Sequence, residues 1–384
     1  MIEITDKRDC CGCFACANAC PFGCIEMKED NEGFLYPVTD EEKCTKCGKC
    51  LRACTLKNEN KEKSAFLKVY ACKNKDETVR LSSSSGGMFS LLAGQVLDNG
   101  GVVFGAIFDE NLNVIHSKAE TEEELKKMRG SKYVQSSISN TYNEAKALLD
   151  KGRQVLFTGT PCQIAGLKSY LGRDYNSLVT ADIVCHGVPS PKVFNKYIDE
   201  CEQKYKSKVT HFNFRNKDDG WKKYKTQISF ESGTVISQLG SNNTFIKGFL
   251  SDLYNRPSCA VCKCKYPNGS SDITIADYWG IETNFPEFDD DKGVSLVLTH
   301  TEKGQTVFNN LSDKMYIQQS DLEHALIYNP CISKSAKPHR SREKFFNAFE
   351  NSSFEFSLNT YLKTSFIQNI FSKFKSIMSK LFLI

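Results

Sequence analysis

Beyond about residue 66 the apolar positions of this 384-residue chain fall in short runs whose period keeps changing. Val102-Val-Phe-Gly-Ala-Ile-Phe108 and Leu112 to Ser117 are β-branched and aromatic runs bounded by turn residues, which predicts strands. Thr121 and Glu124 form a capping box that opens a helix to about Met128, and Thr141 to Asp150 has helical spacing. Gln154-Val-Leu-Phe157 predicts a strand, Gln163 to Leu171 a helix, and Val179 to Val184 another strand. Ser190-Pro191 is an N-cap and first-turn pair for a helix to about Tyr205. Strand-like runs follow at His211 to Phe214, Lys225 to Phe230 and Thr234 to Ser237, with further short elements between Ile273 and Ile317. Alternating strands and helices with antiparallel additions predict an α+β chain with a mixed α/β core.

Composition adds class. At 40% hydrophobic and 25% charged the chain is an ordinary globular sequence, long enough for two or three domains. No stretch approaches the roughly 20 apolar residues that cross a bilayer, and Met1 to Asp9 lacks an apolar export core, so a cytoplasmic location is expected. The net charge of +4 is local. Four lysines and no acid lie beyond Glu355, and removing them from the 50 basic residues leaves 46 against 46 acidic. A neutral body argues against nucleic acid as a partner.

The cysteines change the picture most: there are 18, ten of them between Cys10 and Cys54. Cys10, Cys13, Cys16 and Cys20 are spaced by two, two and three residues and followed by Pro21. Cys44, Cys47, Cys50 and Cys54 repeat the spacing, with Thr55 in place of the proline. Such runs wrap cubane clusters: three thiolates on one tight loop cap three corners, and the fourth reaches the other cube. By that rule Cys10, Cys13 and Cys16 with Cys54 hold one 4Fe-4S cluster, and Cys44, Cys47 and Cys50 with Cys20 hold the second. Zinc sites use separated pairs, and disulfides are disfavoured without a secretion signal. Cys11 and Cys24 fall outside the pattern. A relay of this kind moves single electrons, so the chemistry is expected downstream.

The polar stretch 57–63 predicts a linker after a ferredoxin domain at residues 1–60. Two strand-to-helix turns then carry a cysteine each: Phe157-Thr-Gly-Thr-Pro-Cys162 and Ile183-Val-Cys185-His-Gly-Val-Pro189. Loops at the carboxyl ends of strands build sites in open α/β sheets, and a helix N-terminus favours a thiolate, so Cys162 and Cys185 can share one crevice. Cys259 and Cys262, after Arg256-Pro-Ser, complete a quartet for which spacing leaves zinc, a 4Fe-4S cluster and a redox dithiol open. The adjoining ferredoxin domain tips this to a cluster, with Cys264 a lower-ranked ligand. Ser82-Ser-Ser-Ser-Gly86-Gly87 before the helical run Met88 to Leu97 has the make-up of a phosphate-binding turn or of a plain flexible one. His116, His211, His300, His324 and His339 have no motif context.

Ser-Ser-Gly-Gly (84–87), Gly-Ser-Lys-Tyr (130–133), Gly-Thr-Pro-Cys-Gln (159–163), Cys-His-Gly (185–187), Arg-Pro-Ser-Cys-x2-Cys (256–262) and Asp-Ile-Thr-Ile-Ala-Asp-Tyr-Trp-Gly (272–280) together resemble the coenzyme F420 hydrogenase/dehydrogenase beta-subunit family over about residues 66–320. The resemblance is to the bacterial type with a fused two-cluster ferredoxin domain, often encoded near polysaccharide-synthesis genes. It implies a flavin-dependent iron-sulfur oxidoreductase: FAD beside a core 4Fe-4S cluster, acting on a small-molecule substrate or deazaflavin-type coenzyme, with an electron-carrying protein or reduced coenzyme as partner. A non-catalytic electron-transfer adaptor is the alternative. It also implies Cys162, Cys185, Cys259 and Cys262 as core ligands, and Ser84, Ser85, Gly86, Gly87, Ser131, Lys132, Tyr133 and Thr160 as flavin-binding. His186 and Asp277 are candidate proton donors or structural residues. The expected divisions are 66–155 for the flavin-binding part and 156–325 for the core-cluster part. Residues 340–384 are expected to end in an amphipathic helix. There Phe366, Ile370, Phe374, Ile377 and Leu381 share a face that suits a protein partner or an anionic membrane.

Overall fold

The two cysteine runs fold into copies of one loop. In the computed structural model, which describes residues 1–56 and 67–362, Gly12 and Phe14 have φ of 66° and 62°, and the matching Lys46 and Gly48 have 56° and 74°. Each loop thus passes twice through the left-handed region, and each places glycine, which adopts it without strain, at one of the two positions. Short helices follow at Ala15–Asn18 and Lys49–Ala53. Strands β1 (Ile25–Glu29) and β2 (Leu35–Thr39) form an antiparallel hairpin between the loops.

The remaining strands in chain order are β3 (Lys68–Asn74), β4 (Val102–Phe108), β5 (Val114–Ala119), β6 (Val155–Gly159), β7 (Leu178–Ile183), β8 (Val209–Asn216), β9 (Lys225–Phe230), β10 (Val235–Leu239), β11 (Ile273–Asp277), β12 (Ser295–Thr299) and β13 (Met315–Ser320). Eight of them form one mixed sheet in the order β13-β3-β12-β11-β7-β6-β4-β5. Its centre, β4, β6, β7 and β11, is parallel, and the flanks are antiparallel. Central strands of this kind are apolar throughout because both faces are covered: Val155, Leu156, Phe157 and Leu178 to Ala181 are all buried. A second antiparallel sheet, β10-β9-β8, packs its Phe212, Phe214, Ile228 and Phe230 into an aromatic core with Phe194, Phe245 and Phe249.

The local signals read from the sequence form as expected at several places. The Thr121 capping box with Glu124 is present, and Ser190 caps the helix Pro191–Tyr205 by accepting from Val193 N. Two details differ. Leu112 sits in the β4–β5 turn with a φ of 60°, so β5 begins at Val114. The strand β3, inserted between β12 and β13, lies outside the sequence expectations, because its run Lys68-Val-Tyr-Ala-Cys-Lys-Asn74 mixes charges with apolar residues right after the polar linker. At the C-terminus, helices form at Arg342–Phe349 and at 354–362, and the amphipathic stretch from Phe366 lies outside the described residues. No helix among the described residues is long and apolar enough to cross a membrane.

The N-terminal loops dock directly on the large sheet's helices. Glu32 takes a two-pronged ion pair from Arg342 (2.7 and 2.8 Å), and its carbonyl accepts from Ser190 Oγ (2.5 Å). Asn18 Nδ2 donates to Ser139 O (2.8 Å). In the helix Pro161–Leu171, Gly166 leaves the room that Cys13 occupies: a Cβ there would stand 2.9 Å from Cys13 Cβ and 3.0 Å from its Sγ. Gly166→Leu is therefore expected to overpack this seam and cost about 1–3 kcal/mol, measured by chemical denaturation. Unchanged stability would refute the close approach.

Candidate functional site

The carboxyl ends of β6, β7 and β11 meet, and the loop after each strand faces one crevice. After β6, Thr160 caps the helix Pro161–Leu171 through a capping box with Gln163, whose amide also donates to Ser136 Oγ (2.9 Å). The cap holds Cys162 in the first turn, with Thr160 Oγ1 at 3.2 Å from its Sγ. After β7, the chain from Val188 to Ser190 runs antiparallel to residues 254–256: Arg256 N donates to Val188 O (2.9 Å) and Ser190 N to Tyr254 O (3.1 Å). That pairing brings the short helical turn Pro257–Val261 beside Gly187, whose missing Cβ leaves space next to Asn255 and Cys259.

Cys162, Cys185, Cys259 and Cys262 consequently lie within electrostatic range of one another. The Cys11 sulfur beside it, which favours the protonated form, and then burial push the Cys162 thiol well up, burial does the same to Cys185, and burial raises Cys259 to about 12. The helix N-terminus expected to favour a Cys162 thiolate is thus outweighed. Thiols sealed in this way are poor free nucleophiles, whereas a coordinating metal deprotonates a thiol outright, so the donor set suits a cluster better than a dithiol. Among the described residues no three ligating groups stand at single-ion distance. Ligands of a cubane bind different irons and stand wider apart. In the N-terminal loops, Cys16 has Cys10 and Cys54 among its neighbours, and Cys20 has Cys24 (3.1 Å) and Cys47. The Cys11 thiol lies beside both Cys13 and Cys162, joining the two groups of cysteines, and Cys264 lies near it.

On the other side of Cys185 opens a cavity of about 570 Å³, within the range of small-molecule sites. Ser84, Ser85, Gly87, Ser131, Lys132, Tyr133, Thr160, His186 and Asp277 all line it. Gly86 does not: it packs against Cys72 O and Ser295 N, where a Cβ would stand at 2.4 and 2.5 Å. Ser84 Oγ accepts from Ser131 N (2.7 Å), tying the two polar turns together, while Ser85 Oγ donates inward to Val294 O (2.7 Å). Lys132 Nζ is 3.2–3.4 Å from the carbonyls of Met128, Arg129 and Gly130, and burial pushes it down to about 7. No carboxylate among the described residues pairs with it. Three buried atoms of wall residues also lack a protein partner, His116 Nδ1, Arg215 Nε and Asn329 Nδ2. A lone cation, hydroxyls and spare polar atoms beside an uncapped helix start at Gly87 suit an anionic, hydrogen-bonding cofactor such as a flavin nucleotide.

Asp277 has partners already. Its carboxylate takes Arg215 at 2.9 and 3.2 Å and Trp221 Nε1 at 2.7 Å, and Trp221 stacks on Trp279 at 4.8 Å. The guanidinium so fixed reaches Tyr133 OH (3.3 Å) and lies 4.1 Å from the Tyr224 ring centre. Beneath it, Lys217 Nζ donates to the carbonyls of Arg80, Ser85 and Lys292 at 2.7–2.8 Å, anchoring the serine turn. His186 stands between Asp252 (2.9 Å) and Cys331 Sγ (3.5 Å); burial opposes its charge, but those two partners raise it to about 9. Arg215, Lys217, Trp221, His116 and Cys331 have no local signal in the sequence, since β8, β9 and the segment near 330 reach the cavity only through tertiary packing.

Known families agree with this geometry. Residues 69–142 match the N-terminal model of the coenzyme F420 hydrogenase/dehydrogenase beta subunit, and residues 152–325 match its C-terminal model. The chain belongs to this family. Residues 9–58 match the 4Fe-4S dicluster domain. This beta-subunit relative is thus an iron-sulfur, electron-transferring member of an oxidoreductase family. A chain of the F420-reducing NiFe hydrogenase complex from Methanosarcina barkeri is similar over 80% of this chain and 93% of that one, at 19% identity and a TM-score of 0.46. No curated protein matches.

In this family member the Arg215 and Asp277 side chains are 3% and 15% exposed, so removing one strands the other as a buried charge. Asp277→Ala is expected to cost about 3–5 kcal/mol in chemical denaturation. A loss under about 1 kcal/mol, the worth of an exposed pair, would show that the guanidinium is held by other means.

Proposed function

We propose that the chain is an iron-sulfur flavoprotein oxidoreductase that moves electrons between 4Fe-4S clusters and FAD to reduce or oxidise a two-electron substrate or a deazaflavin-type coenzyme. The observation that carries this reading is proximity: Cys11 and Cys13 of the N-terminal loop lie beside Cys162, which is in range of Cys185 at the cavity wall, while Cys47 of the second loop is exposed. A flavin exchanges two electrons with an organic molecule and single electrons with iron-sulfur clusters, which is the conversion such a layout needs.

The chain's own residues divide the work. Cys10, Cys13, Cys16 and Cys54 would hold one cluster, Cys20, Cys44, Cys47 and Cys50 the second, and Cys162, Cys185, Cys259 and Cys262 the third. Cys47 is exposed, so the loop that carries it is where an electron-carrying protein can approach. Lys132, Ser84, Ser131 and the start of the helix Met88–Asp98 would receive the phosphate end of FAD, with Tyr133 and Thr160 along its length. Arg215, clamped by Asp277, presents a fixed cation to the cavity. His186 is the group placed to hand a proton to a substrate, and Asp277 is better suited to positioning than to proton transfer because both its oxygens already accept.

After anaerobic reconstitution the chain is expected to hold about twelve irons, four for each of three clusters, together with a flavin that absorbs in the visible. About eight irons and no flavin would leave an electron-transfer adaptor. Cys162→Ala should retain about eight irons, and unchanged iron would refute that ligand. Lys132→Met should weaken flavin retention roughly tenfold, the worth of one charge-assisted hydrogen bond, read as flavin lost on gel filtration with iron unchanged.

A further inference from the structure

Arg256 is the least exposed cation in the described chain, at 1%, and it has no carboxylate partner among the described residues. Its Nε donates to Cys10 O (2.8 Å), Nη1 to Gln135 Oε1 (3.0 Å), and Nη2 to Leu35 O (2.9 Å) and towards Cys10 Sγ (3.6 Å). The guanidinium lies 4.3 Å from the Tyr36 ring centre and 5.4 Å from that of Phe34. Gly12 makes the room: a Cβ there would stand 2.7 Å from Nη1. Three residues on, the same peptide carries Cys259. One residue therefore bridges the N-terminal cysteine loop and the core quartet.

Burying a charge without a counter-charge costs several kcal/mol. Neutral carbonyls and aromatic faces offset only part of that. The remaining neighbours are Cys10, Cys11 and Cys259, and thiolate-ligated clusters at Cys10 and Cys259 would supply the negative charge. A fixed cation and a hydrogen bond at a ligand sulfur both favour the more negative, reduced state of a cluster, so they raise its reduction potential.

We propose that Arg256 sets the reduction potential of the cluster held by Cys10, Cys13, Cys16 and Cys54, raising it above that of the Cys20, Cys44, Cys47 and Cys50 cluster. The cations of the matching loop, Lys43, Lys46, Lys49 and Arg52 (the last bonded to Cys47 O at 3.4 Å), are all exposed, where water screens their charge, and none is buried as Arg256 is. An electron delivered by a one-electron carrier protein at the exposed loop is then drawn inward to the side that faces Cys162. One electron is gained by the inner cluster and one lost by the outer, and no bond or proton moves. This inference rests on the ligand assignment given above.

The test is an electron paramagnetic resonance titration of the full-length, anaerobically reconstituted protein against potential, for the native chain, Arg256→Met and Arg256→Lys. Arg256→Met keeps length and packing without charge. It is expected to retain about twelve irons and to shift one reduction step at least tenfold toward the oxidised form, 59 mV for one electron. Arg256→Lys, which keeps the charge, should shift that step by less than half as much. Unchanged midpoints in Arg256→Met would overturn the proposal, as would equal loss of iron from both variants, which would make Arg256 a structural brace. A native chain without three clusters would overturn the ligand assignment itself, and that outcome is visible before any substitution is compared.

Discussion

The close approach of the N-terminal cysteine loops to the first turn of the helix Pro161–Leu171 is the constraint on which the rest of this structure depends. Electron transfer falls off steeply with distance, so a relay is useful only if its last stop nearly touches the next group. Two glycines make that approach possible from opposite sides, Gly166 under Cys13 and Gly12 under Arg256. With side chains at either place the backbones would be held apart. What closes the seam is polar: Gln135 donates to Cys11 O at 3.0 Å and accepts from Arg256, so the two halves share one hydrogen-bonded network. An apolar seam could slide, whereas this one has a single register, as buried polar networks do when every member is satisfied.

The same logic of fixing charged groups by long-range partners governs the cavity. Parallel strands end together, so their following loops converge without further design. Convergence alone gives a hole lined by turns. Its charged clamp joins the two sheets: β8 of the antiparallel sheet supplies Arg215 and leads through Asn216 to Lys217, while β11 of the parallel centre ends at Asp277. Lys217, with three carbonyls at 2.7–2.8 Å, uses all of its hydrogens to hold the serine turn and the loop before Val294 in place. The turn is therefore rigid on its protein side and open on the cavity side.

How much of this is legible in the amino-acid sequence depends on how local each feature is. The eight N-terminal ligand candidates repeat a short spacing, so they are visible as a pattern, and so is the capping box at Thr121. Cys162 and Cys185 can be assigned to one crevice from their positions after predicted strands, since strand ends converge in any such sheet. Asp277 stands out in its motif but its partner does not: Arg215 is 62 residues away, and nothing in Phe212-Asn-Phe-Arg215 says which strand it will face. His116 looks featureless for the same reason, its Nε2 being turned to Thr158 O (2.9 Å) by the β4–β6 pairing. The strand β3 is hidden because antiparallel flanks tolerate charged positions that a central parallel strand does not.

Charge distinguishes the sites in a second way. The body is neutral in sum, yet its buried and half-buried cations are not alike. Arg80 and Arg215 each face a carboxylate, Asp290 and Asp277 respectively, Lys217 is saturated by carbonyls, and Lys265 is held at close range by the carbonyls of Cys185 and Cys331. Lys132 and Arg256 are different: neither has a carboxylate, and Lys132 has only carbonyls at 3.2–3.4 Å. Folding would select against two such charges unless something else offset them. One stands in the wall of the cavity and the other at the seam between two groups of thiols. These are the two places where an anionic cofactor and thiolate-bound iron would bring negative charge, so the uncompensated cations mark the sites as clearly as the cysteines do.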